Sequence, residues 1–323
     1  MERTQYRRKQ KKPAMPPIGH LLLLLALIAV VLVVCITLAR KAEVPAEDPQ
    51  TPESGGAETQ APLPKGNWKP IEMPEGSLAQ GDLVLVNAAH GFEPSASLVT
   101  VYSQKTDSYF VKDTELSVAS RIMRPLNEWM DAFREATGID NVNIVAGYRT
   151  KDYQQKLYDN AVTTKGKAHA ESYIALPGHS EHHTGLAVDL DTYYADTGAS
   201  GDFDGTGKYA WVEEHAWQFG FTRRYPENKV SVTGIAYEPW HFRYVGIPHA
   251  YAMKQNDQCL EEYLEFLREH PFTADHFFLQ CDGKDFEIYY CPQNAVVVPE
   301  DRPYTISGDN IGGYIVTVTG LSA

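Results

Sequence analysis

The chain contains 323 residues, of which 43% are hydrophobic and 22% charged. It is therefore long enough to bury the core of a large domain, and it is neither fibrous nor of low complexity. Its formal net charge of -13 is unevenly distributed, because residues 1–41 carry eight Lys and Arg side chains and one acid. This gives +7 for that segment and leaves -20 for the rest, so the main body is not expected to bind nucleic acid.

The N-terminal region predicts a membrane anchor. A basic tail over residues 1–20 precedes residues 21–39, which are almost entirely apolar. At ~1.5 Å rise per residue, a helix over this run spans roughly 28 Å, close to the ~30 Å hydrocarbon core of a bilayer. We predict one transmembrane helix in the cell membrane, with the N-terminus in the cytoplasm and the remainder of the chain outside. A cleaved signal peptide is the alternative, although its apolar part is usually only ~7–15 residues long.

A linker is predicted to follow the anchor. Residues 40–66 are rich in Pro, Glu, Gly, Ser and Thr and contain almost no large apolar side chains. Such a segment cannot offset the entropy lost on ordering. We therefore expect a disordered acidic linker before a folded part that begins near Trp68.

Residues 67–250 show the periodicities of helices and strands. In chain order we predict a strand over 81–89, a helix from Ile122 to a stop at Gly138, a strand over 143–146, a helix capped by Thr150, a strand over 185–191, a helix that ends at Gly220, and strands over 221–226 and 238–246. Helices and strands do not alternate regularly in this order. An α+β fold is therefore favoured, with an antiparallel sheet flanked by helices.

Residues 251–323 predict a small α+β extension packed on the main domain. Its expected elements are a helix capped by Asn256 or Asp257 and ended by Pro271, a hairpin whose strands, 276–281 and 286–291, flank residues 282–285, and a last strand over 312–320.

Three cysteines lie in this extension. In the predicted hairpin Cys281 faces Phe286, which places Cys291 roughly 16 Å away, far beyond the ~7 Å Cα separation that a disulfide allows. These two cysteines are not expected to pair. Cys259 can pair with either of them, or all three can remain free thiols.

Two motifs carry possible metal chemistry: PGHSEHHTGLAVDL over residues 177–190 and EPWH over residues 238–241. Imidazole nitrogens and a carboxylate oxygen are typical zinc ligands, and three of them leave a fourth position for water. We predict that His182, Asp189 and His241 bind Zn²⁺.

A second pair of histidines offers an alternative. His179 and His183 would share a face if their loop were helical. The Pro and Gly residues around them disfavour a helix.

Glu238 is the candidate proton shuttle, because a carboxylate beside a metal-activated water can take its proton. A regular strand would direct Glu238 and His241 to opposite faces. Pro239 lacks a backbone N–H, so we expect Glu238 to lie just before the strand, at a bend from which both side chains reach one metal.

Taken together, the motifs resemble those of the VanY-type zinc D-alanyl-D-alanine carboxypeptidases, over roughly residues 75–250. The resemblance rests on Ser180-x-His182 followed by Gly185, Ala187 and Asp189, on Glu238-x-Trp240-His241, and on Gly147-Tyr148-Arg149. It implies a hedgehog/DD-peptidase-like zinc peptidase fold, with zinc held by His182, Asp189 and His241 and with Glu238 as the catalytic base.

The same resemblance implies roles for further residues. Arg149 matches the family's substrate arginine, whose planar fork suits a carboxylate or an oxyanion. Gln154 and Ser180 match positions that contact the peptide, and Trp240 is expected to line the pocket. His183 stands where the family commonly has Gln, which leaves two adjacent histidines as candidate ligands, and the spacing to Asp189 favours His182.

The resulting hypothesis is a membrane-anchored carboxypeptidase that removes the C-terminal D-alanine from peptidoglycan stem peptides outside the cell. The sequence does not choose between D,D- and L,D-specificity, and it does not give the oligomeric state. Two alternatives remain: a non-catalytic peptidoglycan-binding or sensor module, which the intact ligand set disfavours, and an endopeptidase that shares the metal chemistry.

Overall fold

The computed structural model describes residues 66–93 and 97–320, which belong to one compact unit. The predicted basic tail, transmembrane helix and all of the linker but Gly66 lie outside the described residues. Within the described ranges, no helix has both the length and the apolar character needed to cross a membrane.

The unit contains seven α-helices and fourteen strands among its described residues. Helices α1–α7 are Met123–Thr137, Lys151–Lys165, Lys167–Tyr173, Ala210–His215, Val230–Thr233, Ile247–Gln255 and Leu260–Arg268. Strands β1–β14 are Trp68–Ile71, Leu98–Thr100, Phe110–Val111, Ser117–Ala119, Val142–Ala146, Ala187–Tyr194, Ala199–Asp202, Phe221–Tyr225, Glu238–Tyr244, Phe277–Cys281, Lys284–Pro292, Val296–Pro299, Tyr304–Gly308 and Gly313–Thr319.

The central sheet has six strands in the order β3-β5-β6-β9-β8, with β7 paired to β6. Its pairs are antiparallel except for β3 and β5, which run parallel. The expected antiparallel sheet is therefore present, but it ends in one parallel pair. Strands β6 and β9 lie side by side near the middle of the sheet. Strand β6 carries Asp189, and β9 carries His241.

Helix α1 covers one face of this sheet, as its apolar spacing predicts. Its Trp129 is fully buried and stacks on Phe221 of β8 at 4.8 Å between ring centroids. The helix ends at Gly138, whose φ of 74° lies in the left-handed region that glycine adopts without a steric penalty. The predicted helix and its stop are confirmed.

The C-terminal part builds a second sheet of four antiparallel strands in the order β10-β11-β14-β13. Helix α7 packs on it through a buried stripe of Leu260, Tyr263, Leu264 and Leu267. The earliest described strand, β1, joins this half of the molecule by pairing with β12. The boundary expected at residue 250 falls inside α6, Ile247–Gln255.

Two local predictions in the extension are wrong. The N-cap of α7 is Cys259, not Asn256 or Asp257, and its backbone N–H donates to the Glu262 carboxylate. The hairpin turn has two residues, Asp282 and Gly283, both with positive φ, so Cys281 pairs with Lys284 and not with Phe286. A two-residue turn with both φ values positive matches the right-handed strand twist, which explains the shorter loop. All three described cysteines are buried and free.

The first predicted strand, 81–89, is also wrong, although its alternation is real. Leu83 and Leu85 pack into the core of the extension, whereas Val84 and Val86 pack into the core beside the central sheet. The segment does not pair with any strand in the described part of the chain. Its backbone is bonded by separate groups instead, including the Ser307 hydroxyl, which accepts from the Leu83 N–H at 2.9 Å.

Candidate active site

The central sheet places two of the predicted ligands opposite each other. Asp189 in β6 is the direct cross-strand partner of His241 in β9. His182 lies in a 3₁₀ turn, Glu181–Thr184, that leads into β6, and Gly185 ends this turn with a φ of 69°. The tight turn returns the chain to the sheet, so His182 lies over the same strand pair.

The three side chains converge on one point. His182 Nε2 lies 3.3 Å from Asp189 Oδ2, and His241 Nδ1 lies 2.8 Å from Asp189 Oδ1. The other ring nitrogen of His182 is 2.6 Å from the carbonyl oxygen of Gly147. One nitrogen of each histidine therefore faces the carboxylate, and the three ligand atoms all lie within 4.8 Å of one another.

This donor set fits a zinc ion. Tetrahedral ligands with bonds of ~2.0–2.2 Å lie roughly 3.4 Å apart, which is comparable with the separations in this cluster. Burial opposes ionisation of Asp189, but the adjacent His182 and Arg149 hold the pKa of its carboxyl well below the usual range. Asp189 is therefore anionic, as a metal ligand must be.

Glu238 reaches the same cluster by a route that differs from the predicted one. It is the first residue of β9 and does not precede the strand. Tyr225 of β8 pairs with Glu238, but Arg223 pairs with Phe242, so β9 carries a bulge between these positions. Two residues of β9 are extra across this bulge, so the strand is irregular here, and Glu238 Oε2 lies 3.8 Å from His241 Nδ1.

The environment of Glu238 suits proton transfer. Its side chain is buried, and this burial, with a smaller contribution from the Asp189 charge, raises the pKa of its carboxyl to about 7. A group that titrates near neutral pH can accept a proton and return it under physiological conditions.

Arg149 and the other predicted substrate residues border one cleft of about 410 Å³ that also contains the metal cluster and Glu238. Arg149 Nη2 donates to Asp189 Oδ2 at 2.5 Å. The Gln154 side chain donates to the carbonyl oxygen of Ala175 at 2.8 Å. Ser180 and Trp240 line the same cleft, so the structure brings all eight predicted site residues together.

The alternative ligand pair is not supported. His183 accepts the Gly178 N–H at Nε2, and its Nδ1 lies 2.7 Å from the carbonyl oxygen of Arg149. His179 Nδ1 lies 2.8 Å from the carbonyl oxygen of Asn87. Both rings of the pair therefore bind backbone groups, and His183 fixes the loop that carries Arg149.

Several residues at the site were not singled out from the sequence. Lys165, His169 and Tyr173 of α2 and α3 line the cleft, and the Tyr225 ring lies 4.8 Å from that of His241. Glu181 is 1% exposed, and its carboxylate lies between the ring of His241 and two arginines, Arg224 and Arg243. The sequence signal for Glu181 was its place directly before the predicted ligand His182 in the histidine motif.

Comparison with known proteins identifies the family. The family model for VanY, D-alanyl-D-alanine carboxypeptidase, matches residues 115–247. A D-alanyl-D-alanine carboxypeptidase of Enterococcus faecium is 33% identical over 261 residues, which cover 78% of this chain and 80% of that protein. The chain belongs to the VanY family. A second D-alanyl-D-alanine carboxypeptidase, from Enterococcus faecalis, is 38% identical over 188 residues, 54% of this chain and 68% of that protein.

A solved structure extends the VanY relationship to the fold. The vancomycin resistance D,D-dipeptidase VanXYg, crystallised with a D-Ala-D-Ala phosphinate analog, superposes with a TM-score of 0.69 at 31% identity. The match covers 79% of this chain and all of that one. The expected DD-peptidase fold is confirmed, and the chain is a member of a carboxypeptidase family.

Proposed function

We propose that this VanY-family protein is a zinc-dependent D,D-carboxypeptidase that removes the C-terminal D-alanine from peptidoglycan stem peptides. The observation that carries the proposal is the buried His182, Asp189 and His241 cluster with Glu238 beside it. The names of both enterococcal relatives and the D-Ala-D-Ala analog bound by VanXYg support this substrate class.

The residues of the cleft divide the chemistry among them. When bound, zinc supplies a Lewis acid that polarises the scissile carbonyl and the attacking water. The Glu238 carboxylate takes a proton from that water and returns it to the leaving amine. Arg149 provides a planar pair of N–H donors for the negative charge of the peptide. Gln154, Ser180 and Trp240 orient the peptide in the cleft.

Peptide hydrolysis tests this proposal. The full-length protein, purified in detergent and loaded with zinc, is incubated with stem pentapeptide and tetrapeptide, and the products are identified by mass spectrometry. We expect the protein to release D-alanine from the pentapeptide. We expect this activity to be lost after treatment with a chelator. Release from the tetrapeptide alone would assign L,D-specificity, internal cleavage would assign an endopeptidase, and intact peptides in both reactions would favour a binding module.

We also propose where in the cell the protein is located. The basic residues 1–20 and the apolar residues 21–39 support a single-pass anchor in the cell membrane, with the catalytic part outside. Protease added to intact cells should then digest the chain beyond about residue 42 and leave an N-terminal tag protected. A mature protein that begins near residue 42 and is recovered from the medium would show instead that the segment is cleaved.

A further inference from the structure

Two buried polar atoms face each other behind the metal cluster. Glu181 Oε2 and His241 Nε2 lie 3.5 Å apart, and neither has a hydrogen-bond partner within the described part of the chain. The residues that carry them are 1% and 3% exposed. A buried polar atom without a partner is costly, so a donor and an acceptor in this position are each other's natural partners.

The second oxygen of Glu181 is held firmly in place. Glu181 Oε1 accepts from Arg224 Nε at 2.8 Å and from Arg243 Nη1 at 2.7 Å. The side chains of Glu181 and both arginines are fully buried. Arg243 is itself fixed by the carbonyl oxygens of Asp82 and Val84, each 2.9 Å from its Nη2. The carboxylate therefore has one saturated oxygen and one free oxygen, and the free one points at His241.

The hydrogen bonds that hold Glu181 continue into the extension through Arg224. The two terminal nitrogens of Arg224 donate to the two carboxylate oxygens of Glu261, at 2.8 and 2.7 Å. Glu261 belongs to α7, Leu260–Arg268. A two-pronged contact of this kind fixes the orientation of a guanidinium group as well as its position. The orientation of Arg224, and through it that of Glu181, thus depends on a helix outside the central sheet.

We infer that Glu181 is a positioning residue for His241, and that Glu261 of α7 supports it through Arg224. An Nε2–H donated to Glu181 leaves the Nδ1 lone pair free on the side where Asp189 lies. Histidines that bind a metal commonly donate their other N–H to a carboxylate, which sets the tautomer and ring orientation. The inference rests on the proposed zinc site, and it gives the extension a part in that site.

Metal binding tests the inference without an activity assay. The full-length protein in detergent, stripped of metal, is compared with three variants: Glu181→Gln, Glu261→Gln and Glu265→Gln. Glu265 is the matched control, because it lies on the same helix, its side chain is 70% exposed, and it pairs only with Arg268 among the described side chains. Zinc affinity is measured by competition with a chelator, the ligand field by the absorption of bound Co²⁺, and folding by circular dichroism.

We expect Glu181→Gln to weaken zinc binding by about 10- to 100-fold and to change the Co²⁺ spectrum, since loss of such a partner typically has this effect. Glu261→Gln should also weaken zinc binding, but by a smaller factor. Glu265→Gln should have the zinc affinity and the Co²⁺ spectrum of the wild type. The Co²⁺ spectrum separates positioning from a merely structural role, because a protein that is only less stable binds each metal ion with unchanged geometry.

The outcomes that would overturn the inference are distinct. Folded Glu181→Gln and Glu261→Gln proteins with wild-type affinity and spectrum would refute it while leaving the proposed function intact. If Glu181→Gln does not fold, the Glu261→Gln variant decides. The Glu261 side chain is partly exposed, and its substitution leaves the ion pair between Arg243 and Glu181 intact. Wild-type protein that binds no zinc would overturn the proposed function and the inference together.

Discussion

Glu238 differs from its three neighbours in the cluster, and the difference assigns it a separate role. Its carboxylate lies 3.8 Å from His241 Nδ1 and is not part of the group of three converging ligand atoms. We predict that Glu238→Ala keeps the fold and about one zinc per chain but lowers turnover by about 10²–10⁴-fold, because removal of a general base has this cost. Zinc stoichiometry and single-turnover rates measured on the same sample check both parts.

His241→Ala provides the comparison for this prediction, since it removes a ligand. It should lose zinc and activity together. If Glu238→Ala lost zinc as readily, Glu238 would be a ligand and the proposed mechanism would have no base.

The adjacent histidines His182 and His183 offer a second test at the same scale. Both are buried, but only His182 directs a ring nitrogen at Asp189, whereas both nitrogens of His183 contact backbone groups. We predict that His182→Ala loses zinc and that His183→Gln retains it, because a Gln amide also offers both a donor and an acceptor. Metal analysis of the two purified variants decides, and the reverse result would move the ligand assignment by one residue.

At the scale of elements, the site could be predicted from sequence where its geometry is local. The spacing of His182 and Asp189 spans one turn and one strand, so the motif alone implied their convergence. The bulge beside Glu238 depends on the register between β8 and β9, which no local pattern encodes. Proline at 239 correctly suggested an irregularity, but it did not show where the strand begins.

The first predicted strand failed for a related reason. Alternation in 81–89 showed that the segment has two buried sides, and this is correct. It did not show what the backbone bonds to, because Leu83 N–H finds its acceptor 224 positions later in the chain. The network of Glu181, Arg224 and Glu261 was missed in the same way, since its members lie far apart in sequence.

The contact between α6, α7 and β14 predicts a pH-dependent stability. His249 of α6 is buried between Tyr263 and Thr317, with its ring nitrogens 2.9 and 3.1 Å from their hydroxyl oxygens. Burial lowers the pKa of His249 to about 3. The folded protein therefore keeps this ring neutral, whereas the unfolded chain protonates it below pH ~6.5.

The sign of the effect follows from proton uptake. Below pH ~6.5 the unfolded state binds more protons, so His249 makes the free energy of unfolding fall as the pH decreases towards about 3, by up to about 1.4 kcal/mol per pH unit. His249→Gln, which does not titrate, should have a shallower slope. Urea unfolding of both proteins from pH 7.5 to pH 4.5 measures this, and parallel slopes would contradict the assignment.

At the scale of the whole described unit, residues that precede the extension help to build its core, so this core is shared by the two parts of the chain. Leu83, Leu85 and Val245 precede residue 250, yet they are buried against residues of α7 and the second sheet. Strand β1, Trp68–Ile71, pairs with β12 at the far end of the chain. The extension is therefore a structural part of the unit that holds the site.

This shared core predicts that a chain ending at residue 250 does not fold. The truncation would expose several fully buried side chains, each worth ~1.5–3 kcal/mol, against a total stability of ~5–15 kcal/mol for a typical domain. It would also cut α6 and leave Arg224, fully buried, without Glu261. A chain from Thr59 to Ala323, which retains the whole compact unit, is the matched control. Thermal unfolding followed by circular dichroism should show a cooperative transition for the control and none for the truncated chain. A cooperative transition in the truncated chain, with zinc bound at the control's affinity, would show that residues 251–323 are dispensable for both the fold and the metal site.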